Sequence, residues 1–432
     1  MSGHRTLVTF LNVATKDPSN SNKDAPLIFS DASYDFGEQK LRKEGLFGLA
    51  LLGHMIETGK VPDTFAILGT PGSSWGRLMA HVIPGVTSQE LAGLDASSRG
   101  SKTTDADLAA WADRLTSALR QRFAAPSLKI ATSVTGYASD EDGQRQLIEH
   151  IAAQVSEGCA LTIDATHGLR HLPLLAVFSA MALRRIKSVT VDGIYYGARD
   201  RSEKGVDGVM RTPVWRLDGL PLIADWSAAL SAFDKDGDYG VFAPLLHSAG
   251  VDKKLTGNLA EAAFAELIGN FDEAQSRLTN FRKQFMGAPV GGAAALFKAE
   301  LLARIAWIDD GDVFERMQQM AFAALERGDA VRAATWGFEA LVSELTREAG
   351  NDPLNARARQ KARDNYFESH QRDDRKFAAV RLKEMRNGMA HAEFAPQRND
   401  PVRKEVLQMM CKRETCLEAL RGYLAALWPD AA

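Results

Sequence analysis

CALTIDATHGLRHLPLLAVFSA, Cys159 to Ala180, decides the fold of the first half of this chain. Ala160 to Ala165 form a short apolar run ending in Asp164, the reading of a buried strand. Thr166, His167 and Gly168 make a polar turn. From Leu169 to Leu183 apolar residues recur at three- and four-residue spacing, and Pro173 stands where a first helical turn tolerates it. A strand entering a helix through such a turn is the unit of an open α/β sheet. Ligands bind in these sheets beyond the carboxyl ends of the strands, and the free N–H groups of a helix start favour anions.

Outward from this unit the same alternation recurs. Strands are expected at Thr6–Val13, Phe65–Leu68, Leu128–Val134, Ala160–Ala165 and Val189–Tyr196, with helices at Lys40–Glu57, Ala106–Arg122, Asp142–Val155 and His171–Ile186. Helix-length crossovers imply a mostly parallel sheet covered on both faces. Asn20–Tyr34 is expected to be a loop or hairpin insertion, and Gly85–Thr104, rich in Gly, Ser and Thr, a surface loop. If the strands are parallel, GTPGSSWGR (Gly69–Arg77), the Thr166 turn and the turn after Tyr196 open at one rim. They would gather Thr70, Ser73, Ser74, Trp75, His167, Arg170, Tyr195 and Tyr196 around one crevice. GTPGSS lacks the Gly-Lys-Ser/Thr ending of a P-loop, which argues against a nucleoside triphosphatase.

After about Ala224 helices dominate, at Asn258–Leu267, Glu273–Phe285, Ala293–Trp307, Phe314–Glu326, Ala330–Glu348, Phe377–Arg386 and Val402–Leu427. The change of pattern puts a domain boundary near Leu217–Ala224. Asp234–Tyr239, DKDGDY, begins like a calcium loop but lacks its closing Glu, so it reads as a connection. The formal net charge of -3 over 432 residues is not that of a generic nucleic-acid coat. Three cysteines without paired spacing give neither a disulfide framework nor a structural metal site, and they suit the cytoplasm. No signal-peptide core stands at the N-terminus, and no apolar run reaches membrane-spanning length.

Near the C-terminus, Arg386-Asn387-Gly388-Met389-Ala390-His391 puts a permanent cation and an imidazole within about one and a half helical turns. Metal-free RNA cleavage can use this pair, the guanidinium for charge on the scissile phosphate and the imidazole for the proton of the 2′-hydroxyl or leaving oxygen.

LTIDATHGLRHLPLL, ILGTPGSSW, IYYGA with TPVWRL, and RNGMAH together resemble the CRISPR-associated ribonucleases that join a CARF sensor domain to a HEPN effector domain. The resemblance spans nearly the whole chain, though much of Ala224–Ala330 carries no matching motif. It implies a Rossmann-like α/β CARF domain over residues 1–222 and an all-α region with the HEPN domain over residues 223–432. It further implies a cyclic oligoadenylate activator, cyclic tetra-adenylate foremost, a single-stranded RNA substrate, and a homodimer or higher homo-oligomer with no membrane partner. Thr70, Ser73, Ser74, Trp75, Thr166, His167, Gly168, Arg170 and Tyr196 become ligand contacts. Arg386 and His391 become the catalytic pair, assisted by Asn387, with no metal and no cofactor. Two alternatives stay open: a non-catalytic sensor, and a ring nuclease in which Thr70, Ser73 or His167 cleaves the cyclic ligand itself.

Overall fold

A computed structural model describes residues 3–12, 29–37, 41–309, 313–370, 372–394 and 400–431. The chain divides into two compact units, Met1–Pro221 and Leu222–Ala432.

Among the described residues of the first unit lie nine strands: β1 Arg5–Phe10, β2 Ala32–Asp35, β3 Leu41–Glu44, β4 Thr64–Gly69, β5 Lys129–Val134, β6 Ala160–Asp164, β7 Thr190–Gly197, β8 Glu203–Lys204 and β9 Met210–Arg216. The order is β3-β2-β9-β7-β6-β1-β4-β5, with β8 paired to β9. The block β5-β4-β1-β6-β7 is parallel throughout. β9 runs antiparallel to β7, β2 parallel to β9, and β3 antiparallel to β2. β1 and β4 lie centrally and are buried on both faces, which is why TLVTF and TFAILG read as nearly unbroken apolar runs.

Seven helices complete this unit: α1 Phe47–Glu57, α2 Trp75–Val82, α3 Ser88–Arg99, α4 Asp105–Ala109, α5 Ala112–Arg122, α6 Glu141–Gln154 and α7 His171–Ile186. They form two apolar layers. Leu49, Leu52, Trp75, Leu78 and Leu115 pack on one face of the sheet, and Leu147, Ile151, Leu172, Ala176 and Ala180 on the other.

The second unit is helical: α8 Gly219–Asp236, which begins at the division, then α9 Ala243–Ser248, α10 Lys253–Leu267, α11 Phe271–Gly287, α12 Gly292–Arg304, α13 Val313–Glu326, α14 Ala330–Glu348, α15 Ala356–Glu368, α16 Asp374–His391, α17 Pro401–Met409 and α18 Arg413–Leu427. It contains two apolar clusters. Trp226, Phe242, Leu259, Phe281 and Leu301 belong to one, and Leu341, Leu382, Met385, Leu420 and Leu424 to the other. Gly337 lets α14 approach α18, since a Cβ there would lie 2.6 Å from Leu424 Cδ2.

Several expectations need correction. Most of Gly85–Thr104 is not a loop, because its small polar residues conceal a capping box. Thr87 Oγ1 accepts from Glu90 N–H at 3.3 Å, Glu90 Oε2 accepts from Thr87 N–H at 2.8 Å, and Leu91 and Leu94 are buried on the helix that follows. The Lys40–Glu57 helix begins only at Phe47, its first part being β3. Val402–Leu427 is two helices, α17 and α18. In the Thr6–Val13 and Asn20–Tyr34 segments, Val13 and residues 20–28 lie outside the described residues; Ala32–Asp35 is a strand.

Candidate functional sites

The five parallel strands end at one rim. From β1 the chain goes to β4 and β5 on one side, then to β6 and β7 on the other, so the order reverses between β1 and β6. Such a reversal opens a crevice beyond the two strand ends. The Thr166 turn follows β6 at that point.

Asp164, the last residue of β6, is wholly buried. Its carboxylate accepts from Thr9 Oγ1 at 2.6 Å and from Thr166 N–H at 2.8 Å, yet burial pushes the carboxyl up to about 6. Thr166 Oγ1 in turn accepts from Gly197 N–H at 2.8 Å, tying the turn to the end of β7. His167 Nε2 accepts from Phe47 N–H at 3.1 Å and so occupies one of the unpaired donors at the start of α1. That bond puts the ring proton on Nδ1. Burial, followed by the nearby Arg199 guanidinium, lowers the imidazole to about 3, so it is neutral. Gly168 has φ +95°, and a Cβ there would lie 3.1 Å from Phe10 Cβ. Arg170 is exposed, and Tyr196 is half-buried with its ring 5.9 Å from that of Trp215.

The turn after β4 is wired inward. Ser73 Oγ accepts from Thr70 N–H at 2.9 Å and donates to Leu11 O at 3.0 Å, while Trp75 Nε1 donates to Thr70 O at 3.0 Å. Ser74 N–H donates to Asn12 O at 2.9 Å. The side chains of Thr70, Ser73, Ser74 and Trp75 are all buried, and Trp75 is part of the core. The side chains of these four and of His167 therefore brace the rim from within, so that what the turn offers outward is chiefly its backbone.

Sequence reasoning missed Tyr137, in the turn after β5. Its ring is partly exposed, and a Cβ on Gly72 would lie 2.9 Å from its hydroxyl. The backbone carbonyl of Tyr137 also lies 2.7 Å from His171 Nε2, at the start of α7.

In the helical unit Arg386 and Asn387 line a cleft of about 610 Å³ between α14, α15 and α16. Arg359, Arg363 and Lys383 share it, and its acids are Glu339 and Asp364. Four cations against two carboxylates make it basic. Glu339 receives Arg359 Nη2 at 2.6 Å and stands 3.6 Å from Arg386 Nη2. Arg386 Nη1 donates to Asn387 Oδ1 at 3.1 Å, and its guanidinium lies 5.4 Å from the Phe338 ring centre.

His391 does not line this cleft. It is exposed at the end of α16, and its offset from Arg386 corresponds to about 140° round the helix. The helix stops there because Ala392 turns left-handed at φ +52°, while Glu393 N–H donates back to Gly388 O at 3.0 Å. The structure thus brings Arg386 and Asn387 together and leaves His391 on another face. α15 also escaped the sequence reading, although Arg359 and Arg363 stand four residues apart and so share a helix face. Among the described residues no three His, Cys, Asp or Glu side chains gather as a metal site, and no helix is long and apolar enough to cross a membrane.

No family model matches the chain, and no curated protein does. Among solved structures it is similar to Enterococcus italicus Csm6 bound to cyclic hexa-2'-fluoro-hexa-dAMP, at 12% identity over 99% of this chain and 95% of that one, with a TM-score of 0.35. At that score the likeness carries no functional weight, and the reading rests on the residues themselves.

Proposed function

We propose that the chain is a ligand-activated, metal-independent endoribonuclease of single-stranded RNA, its first unit a CARF-type sensor of a cyclic oligoadenylate and its second a HEPN-type effector in CRISPR-linked antiviral defence. The observation that carries this reading is the Arg386 guanidinium, which faces a basic cleft and is held by Glu339 at only 3.6 Å. A phosphodiester can compete for a cation held that loosely, and Arg359, Arg363 and Lys383 offer the charge to keep an RNA backbone beside it.

In this reading His391 takes the proton of the 2′-hydroxyl. The 2′-oxygen attacks phosphorus, the 5′-oxygen leaves as a hydroxyl by taking a proton back from the imidazolium, and a 2′,3′-cyclic phosphate remains. Arg386 stabilises the charge on the non-bridging oxygens, and Asn387 fixes one face of its guanidinium. Because Arg386 and His391 diverge on one helix, the working site is composite. Two copies related by a twofold axis bring the His391 of one toward the Arg386 of the other. The same symmetry suits a cyclic ligand at the sensor rim, where Thr166, Gly168, Arg170, Tyr196 and Tyr137 remain as its contacts. Ring cleavage by Thr70, Ser73 or His167 is the weaker alternative, since two of these side chains are buried and the third already accepts a backbone N–H.

The test is RNA cleavage with cyclic tri-, tetra- and hexa-adenylate, with and without EDTA. One ring should stimulate cleavage, and EDTA should leave it intact. Absence of stimulation by all three rings refutes the sensor, and a strict metal requirement refutes the site.

A further inference from the structure

The helical unit holds a second cavity that shares no lining residue with the Arg386 cleft. It measures about 540 Å³ and lies between α8, α10, α13 and α14. A smaller chamber of about 230 Å³ adjoins it, and Gly237, Glu266, Met320 and Arg327 line both. These residues belong to the stretch for which the sequence offers no motif.

Three polar groups cluster here, Glu266, the Tyr239 hydroxyl and Arg327, close enough to act on one another. Glu266 Oε2 and the Tyr239 hydroxyl are buried without a hydrogen bond. The Arg327 side chain stands beside Glu266, and the Gly237 backbone, at φ +75°, passes so close that a Cβ would meet Arg327 Nη2 at 2.8 Å. A buried carboxyl oxygen and a phenol without well-formed hydrogen bonds are costly, and a ligand donating to and accepting from them would remove that cost. Burial pushes the Glu266 carboxyl up to about 7, against the opposing influence of the Tyr239 hydroxyl and Arg327. The remaining walls are apolar and partly aromatic, from Phe264, Leu267, Met320 and Trp336. A second cation, Arg332, is tied to Asp329 at 2.8 Å and to the Asp236 carbonyl.

A carboxyl group beside a guanidinium is complementary to a flat ring that presents a hydrogen-bond donor next to an acceptor, as the pairing edge of a nucleobase does. Trp336 supplies an aromatic surface for such a ring, and Arg332 a cation for an anionic substituent. The volume is within the range of small-molecule pockets. We propose that this cavity binds a nucleoside monophosphate, with Glu266 and Arg327 reading the base edge and Arg332 taking the phosphate.

The experiment is calorimetric titration of the full chain with AMP, GMP, CMP and UMP, on wild type and on Arg327→Met, Glu266→Gln and Arg386→Ala. At least one nucleotide should bind wild type with a Kd below 1 mM. Affinity should fall at least tenfold in Arg327→Met and severalfold in Glu266→Gln, and should be unchanged in Arg386→Ala. Glu266→Gln keeps the volume, so it decides the matter if Arg327→Met fails to fold. Absence of binding by all four nucleotides overturns the proposal. Binding that survives both cavity variants, or that is lost in Arg386→Ala, overturns it equally, and none of these outcomes bears on RNA cleavage.

Discussion

The rim of the sheet and the cleft of the helical unit use polar residues in opposite ways. At the rim, Thr70, Ser73, Trp75, Asp164 and His167 spend their hydrogen bonds on neighbouring backbone or side chains, so what faces outward is a backbone shape with a few side chains at its edge. In the cleft, cations outnumber acids, and one carboxylate, Glu339, restrains two guanidinium groups. A region of the first kind is damaged through geometry; one of the second kind is damaged by removing charge.

The largest effect expected from this contrast is in the cleft. Arg386→Ala and His391→Ala should each lower RNA cleavage by about 10²–10⁴-fold, the usual worth of a positioned proton-transfer or charge-stabilising group, with ligand binding retained. Full cleavage by both variants, measured on a fluorescent RNA, breaks the comparison at its catalytic end.

Gly168→Val tests the rim. A β-branched residue must adopt φ +95° and crowd Phe10, at a cost of roughly 1–3 kcal/mol or more. The expected outcome is a lower melting temperature and loss of ligand-stimulated cleavage, with basal cleavage by the folded fraction preserved. Unchanged stimulation in the variant would show that the turn's shape does not matter.

The acid and the imidazole at the rim give a pH test. Asp164 rises from an ordinary 3.8 to about 6, so its contribution to stability is full below 3.8 and is lost as pH rises through about 6, by about 3 kcal/mol in total. His167 falls from 6.5 to about 3, so its contribution is full above 6.5 and is lost as pH falls toward 3. Between 3.8 and 6 the two slopes oppose each other. Asp164→Asn, which keeps partners for Thr9 and Thr166, should leave stability climbing with pH across that window. His167→Gln should leave it falling. Denaturant titrations at half-unit intervals of pH will show parallel curves for wild type and both variants if this account is wrong.

The smallest effect belongs to the rim of the cleft. Arg363→Gln, a half-exposed cation paired to Asp364, should weaken RNA binding severalfold and reduce the salt slope by about one unit, without sequence preference. A base-dependent change would mean that Arg363 reads sequence rather than charge.

How much of this was legible depends on burial. β1, β4, β5, β6 and β7 were readable because central strands are apolar runs, and α7 and α14 because a broad apolar stripe and clear ends mark their limits. β2, β3 and β9 were not: LRKE is polar, MRTPVWR carries a proline, and these strands only extend the sheet's edge. α15 was hidden because Ala362 alone on it is buried. For the candidate site, residue type and position along the chain could be read, but direction could not. Nothing in the glycine-rich turn shows beforehand that the Trp75 and Ser73 side chains turn inward to hydrogen-bond Thr70 and Leu11.

The sheet's order also sets a schedule for synthesis. β1 pairs Arg5 with Ala160, and β2 pairs Tyr34 with Thr212, so each strand has one flank whose partner emerges long after it is made, although β3 follows β2 at once. At ribosomal speeds of about 5–20 residues per second, β2 waits on the order of 10–40 s for β9. Throughout that interval Tyr34, wholly enclosed in the finished protein, lacks the β9 strand that flanks it. The nascent chain is therefore open to chaperones and to strand exchange between neighbouring copies until the last strand of the sheet emerges.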